Sequence, residues 1–234
     1  MSERSASSSR EATGVTKHGP TTLTVDVGTS SLKAVLYDAA ARVVDRATRR
    51  YGYEAEHPGW AEGDPHTWWQ ALEDAITTLG RRHDLKAVEA ISFTGQMHSA
   101  VLLDENGDVI PPTILWLDRR ASEETAELQT SLGLPPYELN STYTLPKLLW
   151  LRRHRPETLD RTDKMLWPKD YLRFRLTGEI CTDLTEPGGA ALLDWRGSEW
   201  ALERLDLVGL DEDVLPPIRP ATGARTSCSA FIAS

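Results

Sequence analysis

Apolar and polar positions alternate most cleanly between Thr22 and Tyr37, where Leu23, Val25 and Val27 take turns with Thr24 and Asp26 and a second apolar run follows from Leu32. A period of two belongs to a strand with one buried face, so Asp26 points away from the three aliphatic residues. Gly28-Thr29-Ser30-Ser31 supplies turn chemistry between the runs, which makes the pair a hairpin. After the short turn Asp38 to Ala41, residues Val43 to Tyr53 predict a third strand, and three antiparallel strands open the chain as a meander. The period then changes. Asp64-Pro65 places an N-cap and a proline at the first helical position, and Trp68, Trp69, Leu72, Ile76 and Leu79 recur at helical spacing as far as Gly80. Trp60, Trp68 and Trp69 are read as core packing, the usual use of large aromatics.

Lys86 to Gln96 returns to a short apolar strand, predicted to be buried, that ends in Thr94-Gly95-Gln96-Met97-His98. Asn106-Gly107 between Val101–Leu103 and Val109–Ile110 is a strong hairpin signal, and Ile114 to Leu117 continues extended. Helices follow: one with Ala121, Thr125, Leu128 and Leu132 on one side and Gly133 at its end, one from Thr144 through Leu151 stopped before Pro156, and one from Pro168 to Gly178. Glu179 to Asp183 reads as extended, Glu186-Pro187-Gly188-Gly189 as a loop and Ala191 to Trp195 as apolar, with Ser198 capping a last helix through Leu207. A meander followed by alternating strands and helices predicts an α/β fold, a mixed sheet flanked by helices.

Charge narrows the function classes. Lys plus Arg number 26 against 35 Asp plus Glu, a net charge of −9. That balance disfavours nucleic acid and anionic membranes as partners. No apolar run approaches the roughly 20 residues of a membrane span. The two cysteines, Cys181 and Cys228, make neither a disulfide framework nor a zinc pattern. A reducing compartment follows, and a cytoplasmic location is expected. Residues 1–20 are rich in Ser, Arg, Thr and Gly without an apolar segment, so a disordered tail is expected there.

Two stretches carry candidate chemistry. Asp26 adjoins a turn rich in backbone N–H groups and hydroxyls, with Lys33 just beyond it. A carboxylate for a metal beside donors for phosphate suits a nucleotide-handling turn, although such residues also favour turns for purely local reasons. Neither G-x-x-x-x-G-K-[ST] nor a strand followed by G-x-G-x-x-G is present, which removes the main support for P-loop and dinucleotide-fold readings. Gly95-Gln96-Met97-His98 lies at a strand end, where open α/β sheets bind ligands. A histidine there without metal partners can equally be a structural hydrogen-bonding residue.

Taken in order, D-x-G-T-S-x-x-K from Asp26, then GQMHSAVLLDENG, PTILWLDRR, LPKLLWLRRHRPE and KMLWPKDYLRFRLTGE resemble consecutive blocks of the N-terminal domain of FGGY-family carbohydrate kinases, from about Thr22 to Pro217. The Gly-Gln-Met-His form is similar to that of the family's xylulokinase branch. The resemblance implies an actin-like (RNase H-like) domain and phosphoryl transfer from Mg-ATP to a sugar hydroxyl. D-xylulose is the expected sugar, and ribulose, gluconate and glycerol are the substrates of related lobes. It implies that Asp26 lies near the Mg²⁺ of Mg-ATP and Gly28, Thr29, Ser30 and Lys33 near the transferring phosphoryl group. Gln96, Met97 and His98 would contact sugar hydroxyls, and Asp118 would border the same cleft.

Three substitutions depart from the family pattern: Ser99 after Met-His, Arg119 within the W-x-D-x-R segment, and Glu186-Pro187 in a loop that usually ends in Asp-Ala-Gly. The family's second lobe binds most of the nucleotide and carries the Asp that acts as general base. No Asp or Glu follows Asp213 here, so that lobe is expected to be absent and the chain truncated. The expected division is a tail at 1–20, a sugar-binding domain at 21–218 and an irregular tail at 219–234. Alone, such a lobe is expected to be catalytically incomplete, to hold Mg-ATP weakly and to self-associate through its unpaired face. The competing reading is a non-catalytic actin-like binding or assembly module, in which the turn serves structure only.

Overall fold

The hairpin at the start of the chain adopts the register its apolar positions demand. In the computed structural model, which describes residues 21–194 and 198–222, β1 (Thr22–Val27) pairs antiparallel with β2 (Ser31–Tyr37), and β2 with β3 (Val43–Arg50). Leu23, Val25 and Val27 of β1 and Leu32, Ala34 and Leu36 of β2 share one buried face. A slip of one residue would turn all six to solvent, so the pattern fixes the pairing. The third strand ends at Arg50 rather than Tyr53.

Strand β4 (Glu62–Gly63) precedes α1 (Pro65–Gly80), whose N-cap Asp64 accepts from the His66 N–H at 2.9 Å. Trp68, Leu72, Ile76 and Leu79 lie on the face that α1 buries against the meander. Trp68 is fully buried, whereas Trp69 and Trp60 are only partly covered. Strand β5 (Ala90–Gly95) then runs parallel to β1, giving the order β3-β2-β1-β5 and the expected mixed sheet. The expectation that this strand is buried does not hold. Ala90, Ser92 and Thr94 are exposed, and Ile91 and Phe93 are half-buried. Among the described residues β5 pairs only with β1, and a strand covered along one edge and one face keeps the other edge and face open.

A smaller sheet joins β6 (Val101–Leu103), β7 (Val109–Ile110) and, after helices, β9 (Lys164–Leu166) in the order β7-β6-β9, while β8 (Thr113–Ile114) pairs with β4. The helices are α2 (Ser122–Leu132), α3 (Thr144–His154), α4 (Pro156–Asp160) and α5 (Pro168–Thr177), with Gly133 and Gly178 closing α2 and α5 in the left-handed region. Two cores result. One lies between the main sheet, α1 and α5, and the other surrounds α3 with Trp150, Trp167 and Leu192.

The C-terminal third differs most from expectation. Residues 186–189 are not a loop but part of α6 (Thr185–Ala190). Pro187 falls in its first turn, where its missing N–H leaves no bond unmade. Beyond β10 (Leu193–Asp194) and β11 (Glu199–Trp200), α7 (Leu202–Asp206) has Ala201 rather than Ser198 at its N-cap. The expected tail at 1–20 and the part of the expected tail at 219–234 that follows residue 222, together with Trp195 and Cys228, lie outside the described residues. No helix among the described residues is long and apolar enough to cross a membrane.

Candidate functional site

Two neighbouring parallel strands deliver the two candidate stretches to one end of the sheet. Asp26 of β1 stands opposite Thr94 of β5, and Val27 opposite Gly95. A Cβ at Gly95 would lie 2.5 Å from Val27 Cγ1 and 2.8 Å from the Val27 carbonyl oxygen, so only glycine permits this approach. The Gln96 N–H then donates to the Val27 carbonyl at 2.9 Å. The turn at 28–31 and the segment 96–98 therefore leave the sheet side by side.

The turn is strapped from outside. The Gly28 N–H donates to Ser31 O at 3.0 Å, the Tyr51 N–H to Ser30 O at 3.1 Å, and the Tyr51 hydroxyl to Gly28 O at 2.6 Å. Burial, with Asp26 nearby, pushes the Tyr51 phenol well above its usual range, so it remains a donor. Trp116 Nε1 donates to Thr29 Oγ1 at 2.9 Å, which ties the 113–120 segment to the turn. Lys33 Nζ is 3.9 Å from Asp26 Oδ2, with both side chains about half exposed. Such a pair is worth under about 1 kcal/mol, so little opposes its exchange for a ligand. Among the described residues no cluster of three or more ligating side chains could hold a metal. Asp26 offers one carboxylate, which fits an ion that arrives with phosphate oxygens and keeps much of its own shell.

Segment 96–98 is built more tightly. Both polar atoms of the Gln96 amide are buried without a hydrogen-bond partner, and Met97 is 41% exposed. His98 adopts φ 63°, the left-handed region. Its Nδ1–H donates to the Gly189 carbonyl, its ring lies 4.9 Å from that of Tyr143, and its own carbonyl accepts from Lys147 Nζ at 3.2 Å. A carbonyl only accepts, so Nδ1 carries the proton and Nε2 keeps the lone pair. Burial lowers the His98 pKa against the pull of the Gly189 bond, and the Lys147 charge lowers it further. Neutral imidazole is the resting form.

Asp118 is placed differently from its expected position at the cleft edge. It is 1% exposed and accepts from the Ala61 N–H at 2.6 Å, the Arg120 N–H at 2.8 Å and the Arg120 guanidinium at 2.8 to 3.0 Å. These donors fill a carboxylate, so Asp118 frames the site from behind. Arg120 in turn reaches Glu62 at 2.7 Å and lies 3.7 Å over the Trp60 ring, so Trp60 is a platform for a guanidinium as well as packing.

Lys147, Tyr51, Trp116 and Gly189 were not marked by their sequence pattern as site residues. Two of them had a readable signal: Trp116 opens the W-x-D-x-R segment, and Lys147 is a lysine in the leucine-rich run Leu145 to Leu151. A second buried charge cluster supports α6: Lys169 Nζ meets Asp170 at 2.9 Å, Asp183 at 3.0 Å and Glu186 at 3.8 Å. A separate apolar groove of about 940 Å³, walled by Leu184, Trp200, Leu202, Leu215 and Pro217, contains none of the turn or 96–98 residues. Its walls are largely apolar, with Lys164, Glu199, Glu212, Asp213 and Arg219 also among its lining residues, and it stands apart from the turn and the 96–98 segment.

Residues 21–233 match the model of the FGGY family of carbohydrate kinases, N-terminal domain. The xylulose kinase of Escherichia coli K12 is 38% identical over 198 residues, covering 83% of this chain and 41% of that protein. Among solved structures, the xyloylose kinase of Brucella ovis superposes with a TM-score of 0.80 at 37% identity over 84% of this chain and 42% of its own. The gluconate kinase of Lactobacillus acidophilus gives 0.80 at 26% identity over 91% and 45%. The chain thus spans less than half the length of these relatives, and its mixed sheet with flanking helices is the actin-like fold they share. By the family match, by sequence identity and by fold, the chain belongs to the FGGY family of carbohydrate kinases.

Proposed function

We propose that the chain is the sugar-binding lobe of an ATP-dependent kinase that phosphorylates a sugar hydroxyl, with D-xylulose as the sugar. The carrying observation is the side-by-side departure of the donor-rich turn and of Gln96–His98 from adjacent parallel strands, joined by the Gln96 N–H to Val27 O bond. Gln96 brings two buried, unpartnered polar atoms, and His98 a ring of fixed tautomer, as recognition of closely spaced hydroxyls requires. Mg-ATP, when bound, supplies the phosphoryl group and neutralises its charge. Asp26 would face its metal, and Gly28, Thr29, Ser30 and Lys33 its phosphates.

Asp118 is not set up as a general base, because Arg120 and Ala61 already fill its carboxylate. The general base is assigned, by the resemblance to FGGY kinases, to the family's second lobe, and the lobe alone binds sugar weakly and turns over poorly. Relatives named for xylulose and for gluconate share this fold, so the choice of sugar rests on the Gly-Gln-Met-His form.

Calorimetry with D-xylulose, D-ribulose, D-gluconate and glycerol tests the reading. Heat is expected with D-xylulose and is lost in His98→Ala. Asp26→Asn should leave that heat in place and weaken Mg-ATP. Absence of heat with all four compounds would instead support the non-catalytic assembly module.

A further inference from the structure

A lysine that forms no ion pair with a carboxylate among the described residues is buried directly behind the sugar segment. Lys147 sits in α3 between Pro146 and Leu148 and is 3% exposed. Beside it lies a void of about 10 Å³ lined by Ala100, Pro112 and Ile114 among others, room for about one water at most. Its ammonium donates to two main-chain carbonyls, Thr142 at 2.7 Å and His98 at 3.2 Å. Burying a charge on neutral acceptors alone is unfavourable, which directs attention to what its bonds hold in place. Burial brings the Lys147 pKa down to about 7, Asp118 opposing the fall and Arg119 and Arg120 adding to it.

What those bonds hold is a backbone that would not choose its conformation. His98 has φ 63°, a region that a residue with a Cβ avoids unless its surroundings impose it. Two groups from separate helices meet it there. The Gly189 carbonyl of α6 accepts from the ring Nδ1–H, and Lys147 Nζ of α3 donates to the His98 carbonyl. The Lys147 bond acts on the main chain itself, at the peptide that joins His98 to Ser99.

We propose that Lys147 is a positioning residue that fixes the left-handed turn at His98, and through it the imidazole on Gly189 and the placement of Gln96 and Met97. The proposal rests on the sugar-site reading for its purpose but not for its test. Nuclear magnetic resonance of the whole chain reads it without any sugar. The Ser99 amide nitrogen belongs to the peptide whose carbonyl Lys147 holds, and the His98 ring nitrogens report the tautomer.

In wild-type protein the Ser99 ¹⁵N shift is expected to move with a midpoint near pH 7, as the ammonium bond becomes a neutral amine bond. In Lys147→Met, with folding confirmed by circular dichroism, the His98 ring should lose its bias toward the Nδ1–H form. Lys147→Gln, which retains a donor, should restore part of that bias. D-xylulose affinity should fall about tenfold in Lys147→Met while Mg-ATP affinity stays unchanged, a loss of about 1.4 kcal/mol. A folded Lys147→Met with an unchanged His98 ring pattern overturns the proposal. Should that variant fail to fold, Lys147→Gln is read in its place: a His98 ring bias equal to that of wild type overturns the proposal, and a partial loss supports it. If wild-type protein shows the Ser99 and His98 signatures but no sugar heat, the sugar-site reading fails while the positioning role stands.

Discussion

Gly189 shows how much a missing side chain can do. A Cβ there would lie 2.8 Å from Met97 Cε and 3.1 to 3.2 Å from the His98 ring, the residues at the centre of the candidate sugar site. As a helical position it would gain stability from alanine, by about 1 kcal/mol. As a neighbour of His98 it has no space for one, although the methionine end can swing aside. Gly189→Ala is therefore expected to melt within a few degrees of wild type yet to bind D-xylulose about tenfold more weakly, read by calorimetry beside a thermal melt. Equal affinity would show that the contact carries no functional weight. Gly95 provides the contrast. The atom its Cβ would meet at 2.8 Å is the Val27 backbone oxygen, which cannot swing aside, so alanine there threatens the sheet itself.

The elements that were legible in the sequence are those decided by their own residues. Alternation set β1, the turn and the apolar run after it set β2, and Asp64-Pro65 set the start of α1, because burial and capping there depend on neighbours a few positions away. Where a distant segment decides, the reading failed. Gly188 and Gly189 look like loop residues, but α6 carries glycine at 189 because Met97 and His98 press on it. Ile91 and Phe93 look fully buried, but β5 has a partner on one side only among the described residues. The candidate site shows the same division. Asp26, the turn and Gln96–His98 are visible as motifs, while the clamps on them come from Tyr51, Trp116, Lys147 and Gly189, each far away in sequence or hidden in an apolar run. The Tyr51 strap can be tested alone. Tyr51→Phe leaves the Gly28 carbonyl without its 2.6 Å donor, and losing one such bond costs about 1 kcal/mol. Mg-ATP affinity should drop while D-xylulose affinity holds. An equal loss of both would mean that the strap supports the sheet as a whole rather than the turn.

At the scale of the whole molecule, two buried groups give stability a distinctive dependence on pH. Glu186 is 2% exposed, and burial, partly offset by Lys169 and reinforced by Asp170 and Asp183, raises its pKa to about 8. Counting Lys169 and Arg173 against Asp170 and Asp183, the cluster is already balanced when Glu186 is neutral. From about pH 4.5 to 8 the folded chain keeps a proton that unfolded Glu186 has released, so stability falls as pH rises through that window. Lys147 has the opposite sign. Its folded pKa of about 7 lies below the ordinary 10.5, so between those values the unfolded chain holds the extra proton and stability rises with pH. Each limb is limited to about 1.4 kcal/mol per pH unit. The carboxyls of Asp38, Asp45 and Asp183, held below their usual range, act only in more acidic solution. A shallow minimum in melting temperature is expected between pH 7 and 8, where the falling limb hands over to the rising one. In scans from pH 5 to 10 at constant salt, Glu186→Gln should reduce the fall on the acid side, to which the raised Asp170 carboxyl also contributes, and Lys147→Met should reduce the rise on the alkaline side. If the Glu186→Gln curve runs parallel to wild type throughout, Glu186 is ionised in the native protein. The charge balance drawn for the α6 cluster would then be wrong.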